Sequence, residues 1–374
     1  MPKIYFVTYE NFTNARGVSE YLKHTRNSLR GSYDLVTICP GQSRQTLEKD
    51  GATWEILPTS KNSFLKIIGF QYQVKKFILE QSDSAESIID FQETCGFLAL
   101  LSQKFKNKVC QTVVTYHHSH AEELKVAWRM WRYQPLAVLK QIFMLLSSFE
   151  QKKSIKWARW VITVTEKAKI EVLAFGQKSK KVFVVPNSFS GSGIIPIANL
   201  SSLSRKYIYL GGFDARKGID LALKAFLKIK GPEDTFDLIG TGPLMPWAKK
   251  FVQKNNLAKQ VIFHNYVDRV KKDELMQSAE TFVFPSLCEG FGIVILEAMQ
   301  QGLQIVASDL AVFRAEFGES LVYFKAGDVV DLAKAMQGQF QVDLDQYQQI
   351  LEKYSFKNFN LACQAAFNNI SHER

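Results

Sequence analysis

The chain is 374 residues long, 46% hydrophobic and 22% charged, with a formal net charge of +11. At roughly 150 residues per domain this length predicts two to three domains, two large ones being the simplest arrangement. The balance of apolar and charged residues excludes a disordered tail protein, a coiled coil and a collagen-like fibre.

Two series of strand-like runs alternating with helix-like runs predict an α/β fold built on doubly wound parallel sheets. The first series opens with the apolar run 4–8, then helical spacing from Val18 through Tyr21, Leu22 and Leu29. Runs 35–39, 54–57, 87–91, 109–116, 158–165 and 181–186 continue it as strands. The polar, serine-rich stretch 188–205 reads as a linker. The second series starts at 206–210 and Gly211-Gly212, followed by a helix over 219–228 with Ile219, Leu223, Phe226 and Leu227 on one face. Its further strands are 237–240, 261–264, 281–285, 304–308 and 321–324, with helices at 243–255, 272–278 and 293–301. The tail, 345–369, is helical with a break near Tyr354-Ser355. This divides the chain into a first α/β domain (1–190), a linker (191–204), a second α/β domain (205–341) and a helical tail (342–374) that can return to the first. Ligands of such sheets bind at the carboxyl ends of the strands, so the expected site lies between the two domains.

The excess positive charge is local. Residues 1–190 hold 27 Lys+Arg against 16 Asp+Glu, whereas residues 191–374 hold 20 of each. A solvated basic face and an anionic partner (phospholipid, nucleic acid or a phosphorylated substrate) both fit this. The nearly apolar runs 136–149 and 291–299 are too short to span a bilayer and contain Lys140 and Glu297. Met1-Pro2-Lys3 leads into only six mostly apolar residues, which is no secretory signal. Five scattered cysteines (39, 95, 110, 288, 363) read as small core residues in a reducing compartment. The expected location is cytoplasmic.

The segment 285–299, Pro-Ser-Leu-Cys-Glu-Gly-Phe-Gly-Ile-Val-Ile-Leu-Glu-Ala-Met, carries the most chemistry. A strand end, a glycine-containing loop and a helix start expose backbone N–H groups that suit phosphate or sugar oxygens. Glu289 stands at the mouth of the loop and Glu297 one turn inside the helix. From spacing alone, a capping acid with a solvated helix glutamate fits slightly better than a site does.

Glu289, seven residues, then Glu297, within Pro-Ser-x-x-Glu-Gly-Phe-Gly-x-x-x-x-Glu-Ala, resembles the hallmark of family-four glycosyltransferases. These are retaining enzymes of the GT-B fold, with two Rossmann-like domains facing a cleft. Gly211-Gly212-Phe213-Asp214-Ala215-Arg216-Lys217-Gly218 resembles the family's diphosphate loop, and Gly240-Thr241-Gly242-Pro243 its Gly-x-Gly-Pro turn. Val185-Pro186-Asn187 and Ser308-Asp309 fit the same order. The resemblance implies that Glu297 accepts hydrogen bonds from the ribose, Glu289 holds the donor sugar, and Lys217 neutralises the leaving diphosphate. It also implies that the amides of Gly290, Phe291 and Gly292 bind sugar and phosphate oxygens. Taken by itself, Lys217 also fits a solvated loop lysine. The chain departs from the family at Gly212, where an arginine is usual; either Arg216 substitutes, or Lys217 and the helix amides hold the diphosphate alone. At Asn14-Ala15-Arg16-Gly17 only Gly17 remains of two glycines. Ser188 replaces a glycine, and Ala315, beside Glu316, stands where a glutamate is common.

Thr115-Tyr116-His117-His118-Ser119-His120 places three of six histidines after one strand. No cysteine or carboxylate nearby sits at a recognised ligand spacing, so the sequence assigns no metal ligand. The resemblance gives His117 a role on the sugar or the acceptor hydroxyl and leaves His118 and His120 structural or acceptor-side. Asp343-Leu344-Asp345 lacks a preceding apolar strand and reads as the start of the tail helix.

Residues 124–160 combine Trp128, Trp131, Trp157 and Trp160 with Arg129, Arg132, Lys152, Lys153, Lys156 and Arg159. This composition fits contact with a membrane interface, though a core helix or an acceptor groove would look similar. The all-apolar face of 136–149 argues for burial of that part. No nucleic-acid motif accompanies the patch, so nucleic acid is not an expected partner.

The expectation is a retaining, metal-independent glycosyltransferase of bacterial surface-polysaccharide type. Its partners are a nucleotide sugar, a glycan or lipid-linked glycan acceptor and the cytoplasmic membrane surface, with no cofactor. The alternatives are a non-catalytic GT-B partner subunit and a sugar-nucleotide epimerase or hydrolase.

Overall fold

In the computed structural model the described residues are 1–10, 17–49, 52–60, 63–81, 86–109, 111–127, 138–189, 191, 193–195, 204–338 and 340–373. Asn14, Ala15, Arg16, Cys110, Trp128, Arg129, Trp131, Arg132 and most of the linker lie outside them. The chain divides into two compact units. Unit 1 comprises Met1–His120, Leu145–Ser188 and Phe356–Arg374; unit 2 comprises Ala121–Met144 and Phe189–Ser355.

Among the described residues, unit 1 is built on eight strands. They are β1 (Lys3–Val7), β2 (Asp34–Gly41), β3 (Gln45–Lys49), β4 (Ala52–Pro58), β5 (Ile88–Gln92), β6 (Gln111–Tyr116), β7 (Trp160–Thr163) and β8 (Val182–Val184). Their order is β3-β4-β2-β1-β5-β6-β7-β8, parallel throughout except for β3, which pairs antiparallel with β4. Residues alternate between faces as a twofold strand period requires. In β1, Tyr5 and Val7 join one apolar cluster with Ile38, Phe91 and Val114, while Ile4 and Phe6 join another with Ile88, Val113 and Ile162. The second cluster is completed by Phe359, Cys363, Phe367 and Ile370 from the helix Phe356–His372. There Phe367 meets Phe6 edge-on at 6.2 Å, and Phe359 meets Tyr21 at 5.6 Å.

Unit 2 holds β9 (Lys206–Leu210), β10 (Thr235–Ile239), β11 (Val261–Asn265), β12 (Thr281–Phe284), β13 (Gln304–Ser308) and β14 (Val322–Phe324). The order β11-β10-β9-β12-β13-β14 is wholly parallel. One face carries Tyr207, Tyr209, Leu238, Val283 and Val306; the other carries Ile208, Phe282, Phe284, Ile305 and Ala307. Such a sheet reverses direction between its first and fourth strands, and the loops at that point diverge to leave room for a ligand. In unit 2 these are the loops after β9 and β12.

The strand β3 was not expected. All five of its residues are exposed, so it has no apolar alternation to read. The tail breaks as expected into helices Leu344–Lys353 and Phe356–His372. Asp343 caps the first of these, accepting from the Gln346 amide at 2.9 Å.

One expectation is corrected. The helix Val138–Trp157 does not bury the apolar face of 136–149 where its side chains are described. Its buried stripe is Met144, Ser148, Gln151 and Ile155, at helical spacing but partly polar. Leu145, Leu146 and Phe149 are 57%, 50% and 55% exposed. Trp160 also leaves the proposed surface patch: it is buried in β7 and its indole donates to Gln111 Oε1 at 2.8 Å. No described helix is long and apolar enough to cross a membrane.

Candidate active site

The loop after β9, residues 211–218, is held by its own backbone. Tyr209 donates its hydroxyl to the Gly212 carbonyl at 2.9 Å, and Asp214 Oδ1 accepts from the Lys217 amide at 3.0 Å. The turn at 240–243 clasps the loop from the side: Phe213 donates to the Thr241 carbonyl at 2.8 Å, and Leu244 donates to the Phe213 carbonyl at 2.8 Å. Gly218 closes the loop at φ +69°, just before the helix Ile219–Ile229. A Cβ there would stand 2.1 Å from the Pro285 carbonyl oxygen, so only glycine lets the two loops touch.

The loop after β12 meets it. Leu287 donates its amide to the Arg216 carbonyl at 2.7 Å, and Arg216 Nη1 donates to the Cys288 carbonyl at 3.1 Å. These contacts bring the adjacent Arg216 and Lys217 against Glu289, which follows Lys217 by 72 residues. Glu289 is only 8% exposed in its side chain. Its Oε1 accepts from Lys217 Nζ and, at 2.6 Å, from Ser286 Oγ; Oε2 is 3.9 Å from Arg216 Nη1. Burial pushes the Glu289 carboxyl up, but the charges of Lys217 and Arg216 outweigh it and hold the group below its ordinary range. The result is a buried, ionised carboxylate between two cations. Arg216 also reaches Glu123, with Nε 3.6 Å from Oε1.

Gly292, at φ +93°, starts the helix Ile293–Gln300. Phe291 points into the core, with its ring 4.8 Å from Tyr354 and 5.6 Å from Phe317, so only its backbone is available to a ligand. Gly290 lies on the half-buried loop beside them. Glu297 is half-buried on the helix and meets Lys272 Nζ at 2.6 Å. Lys272 sits on the helix Arg269–Gln277, which Asp268 caps by accepting from the Lys271 amide at 2.8 Å. Glu316 accepts from the Tyr354 hydroxyl and lies 3.5 Å from Lys353, which ties it to the fold.

His117 and Gly17 belong to unit 1. Gly17 is exposed at the start of the helix Gly17–Leu29, and no atom of the described residues stands within 4 Å of a Cβ built there, so these surroundings do not demand glycine. His117 follows β6 and is buried, with Nε2 2.8 Å from Gln92 Oε1 and its ring 5.0 Å from Tyr21. Gln92 in turn donates its amide nitrogen to Asp90 Oδ2 at 3.0 Å. With that nitrogen engaged, the Gln92 oxygen accepts from His117 and fixes the Nε2–H tautomer. Burial lowers the His117 pKa to about 4, so the imidazole is neutral at pH 7.

Spacing gave no warning of Lys272, Ser286 as a partner of Glu289, or Glu123. Each reaches its partner through the sheet topology or a loop contact.

Residues 192–341 match the family described as glycosyl transferases group 1. In its whole structure the chain is similar to sucrose-phosphate synthase from Thermosynechococcus elongatus, with a TM-score of 0.75 at 19% identity, covering 99% of this chain and 96% of that one. The fold is GT-B. A second GT-B structure, HepE of Anabaena in complex with UDP and glucose, has a TM-score of 0.68 at 14% identity, covering 99% and 100%. Among curated sequences, phosphatidyl-myo-inositol mannosyltransferase of Mycobacterium leprae is 33% identical over 149 residues, 37% of this chain and 38% of that protein. The chain matches only 26% to 38% of the length of the curated relatives that head the comparison. The matched GT-B segment contains both loops of the Glu289 cluster.

Proposed function

We propose that the chain is a retaining glycosyltransferase that moves a sugar from a nucleotide-sugar donor to a hydroxyl of a lipid-linked glycan in surface-polysaccharide synthesis. The observation that carries this reading is the Lys217–Glu289–Arg216 cluster at the reversal point of the unit 2 sheet. Two cations stand where a diphosphate would be held, so they supply the charge neutralisation that the leaving group needs without a metal ion on the donor. Glu289 accepts hydrogen bonds from the donor sugar and Glu297 from the ribose. Retention follows if the departing diphosphate oxygen takes the acceptor proton on the face it leaves from, which needs no separate base. His117 offers a neutral imidazole as a hydrogen-bonding group for a hydroxyl. The likeness to a protein solved with UDP and glucose supports a nucleotide donor.

A thermal-shift screen of UDP, GDP and ADP tests the donor reading. One of them is expected to raise the melting temperature, by about 2.7 kcal/mol of stabilisation at 100 times Kd. Glu297→Ala should lose most of that shift. If no nucleotide stabilises the parent protein, the donor reading fails and the partner-subunit reading gains.

The lipid-linked acceptor rests on the exposed stripe Leu145, Leu146 and Phe149, continued by Lys152, Lys153 and Lys156. Lys153 Nζ lies 5.4 Å from the Phe149 ring and 5.9 Å from that of Trp157. Apolar residues flanked by lysines on one helix suit an anionic bilayer surface, where each lysine contributes about 1 kcal/mol. Co-sedimentation with vesicles containing an anionic phospholipid should fall about tenfold or more in a Lys152→Gln/Lys153→Gln/Lys156→Gln variant. Unchanged sedimentation would remove the membrane from this reading.

A further inference from the structure

The histidines after β6 gain a carboxylate from the neighbouring strand. Parallel pairing sets Gln92 opposite Thr115, so Glu93 leaves β5 beside the chain that carries His118 and His120. Glu93 Oε1 is 2.9 Å from His118 Nδ1, and Oε2 is 3.3 Å from His120 Nε2. One ligand atom from each residue falls within 4.8 Å of the other two. We propose that Glu93, His118 and His120 bind a divalent transition-metal ion through two imidazoles and one carboxylate.

Several features go beyond an ion-pair network. Among the described residues, Glu93 Oε1 is buried without an aligned hydrogen bond, despite its closeness to His118. On the far side of His120, Ser147 Oγ lies 2.7 Å from Nδ1. With that hydroxyl accepting the Nδ1 proton, the Nε2 lone pair faces Glu93, the outer-shell arrangement that orients a metal-binding imidazole. Gln151, buried, holds the backbone from both sides: its Oε1 accepts from the His120 amide at 3.1 Å, and its Nε2 donates to the His118 carbonyl at 2.9 Å. Glu93 itself is held at φ +58°, a region that side chains other than glycine seldom occupy and that clusters at functional positions.

Ligands of a tetrahedral zinc ion, with bonds of about 2.0–2.1 Å, stand about 3.4 Å apart, so small side-chain rotations close the site. Two imidazoles with a carboxylate favour zinc and its neighbours over magnesium or calcium. Three protein ligands leave a position open to an oxygen from water, a hydroxyl or a phosphate. The site lies at the carboxyl ends of β5 and β6, the edge at which such sheets bind ligands. None of its residues belongs to the segment that carries the glycosyl-transfer reading, so the two stand or fall separately.

The test is titration of the chelator-treated chain with Zn²⁺ by calorimetry and with Co²⁺ by visible absorption. One ion per chain is expected, with Co²⁺ bands of nitrogen and oxygen coordination. Glu93→Gln and His120→Asn should each weaken binding at least about tenfold, and Ser147→Ala about tenfold. His264→Asn, which removes a histidine paired with Asp237 in unit 2, should leave it unchanged. If the ligand variants lose their circular dichroism, the parent spectrum and Ser147→Ala decide. No stoichiometric ion in the parent, or unchanged affinity in folded Glu93→Gln and His120→Asn, overturns the proposal.

Discussion

Replacing Glu289 with glutamine is expected to slow sugar transfer by about 10²- to 10³-fold while tightening the binding of the free nucleoside diphosphate. The two effects separate because the carboxylate has two neighbours to serve. It neutralises Lys217 and faces Arg216, so a diphosphate arriving at those cations competes with it. Glutamine keeps an oxygen for Ser286 and removes the competing charge, which leaves both cations to the diphosphate. It also removes the charged acceptor assigned to the donor sugar, and that loss falls on the transfer step. Initial rates at saturating donor, set beside calorimetry with the nucleoside diphosphate, measure the split. A parallel fall in rate and affinity would show only a damaged fold, and an unchanged rate would remove Glu289 from the chemistry.

The largest effect on stability is expected from Asp90. Burial pushes its carboxyl up to about 7 from an ordinary 3.8, although hydrogen bonds from Thr115 and Gln92 pull the other way. Its titratable neighbours Tyr21 and Cys363 are themselves raised by burial and stay neutral at pH 7. Below pH 3.8 Asp90 is protonated in both folded and unfolded chains and has no effect. Between about 4 and 7 the folded chain holds a proton that the unfolded chain has released, so stability falls as pH rises. Above 7 both forms are ionised and the whole penalty remains. Roughly three pH units at 1.36 kcal/mol each gives about 4 kcal/mol. Asp90→Asn should therefore be the more stable protein at pH 8, and the advantage should shrink steadily toward pH 4. Urea unfolding of both proteins at pH 5, 6, 7 and 8 measures it; a constant difference between the curves would refute the assignment.

The unit 2 site was largely legible in the sequence because its chemistry is contiguous. Gly211–Gly218 and 285–299 each carry strand end, loop and helix start in one stretch, and Lys217 and Glu289 stand within them. Lys272 was not legible, because it lies 25 residues before Glu297 and only the packing of its helix brings the two together. The same holds for Glu93, 25 residues before His118 and joined to it by strand pairing alone. The helix Val138–Trp157 misled for another reason. Its buried stripe includes the polar Ser148 and Gln151, the latter held by hydrogen bonds to the His118 and His120 backbone, so hydrophobicity pointed to the wrong face. The strand β3 left no signal because an exposed edge strand has no buried side to alternate with.

The helix Phe356–His372 has a consequence for how the chain is made. The strands of unit 1 emerge from the ribosome first, yet one face of their sheet is only partly covered, by the helix Gly17–Leu29, until this late segment supplies Phe359, Cys363, Phe367 and Ile370. During all the time in which residues 189–355 are synthesised, Ile4, Phe6, Tyr21 and Leu22 lack part of their final cover. The nascent chain thus carries a sticky surface for most of its elongation, which makes it a natural client for holding chaperones. A gene cut at the linker would yield a first half that keeps this surface permanently, so aggregation is the expected fate of that fragment.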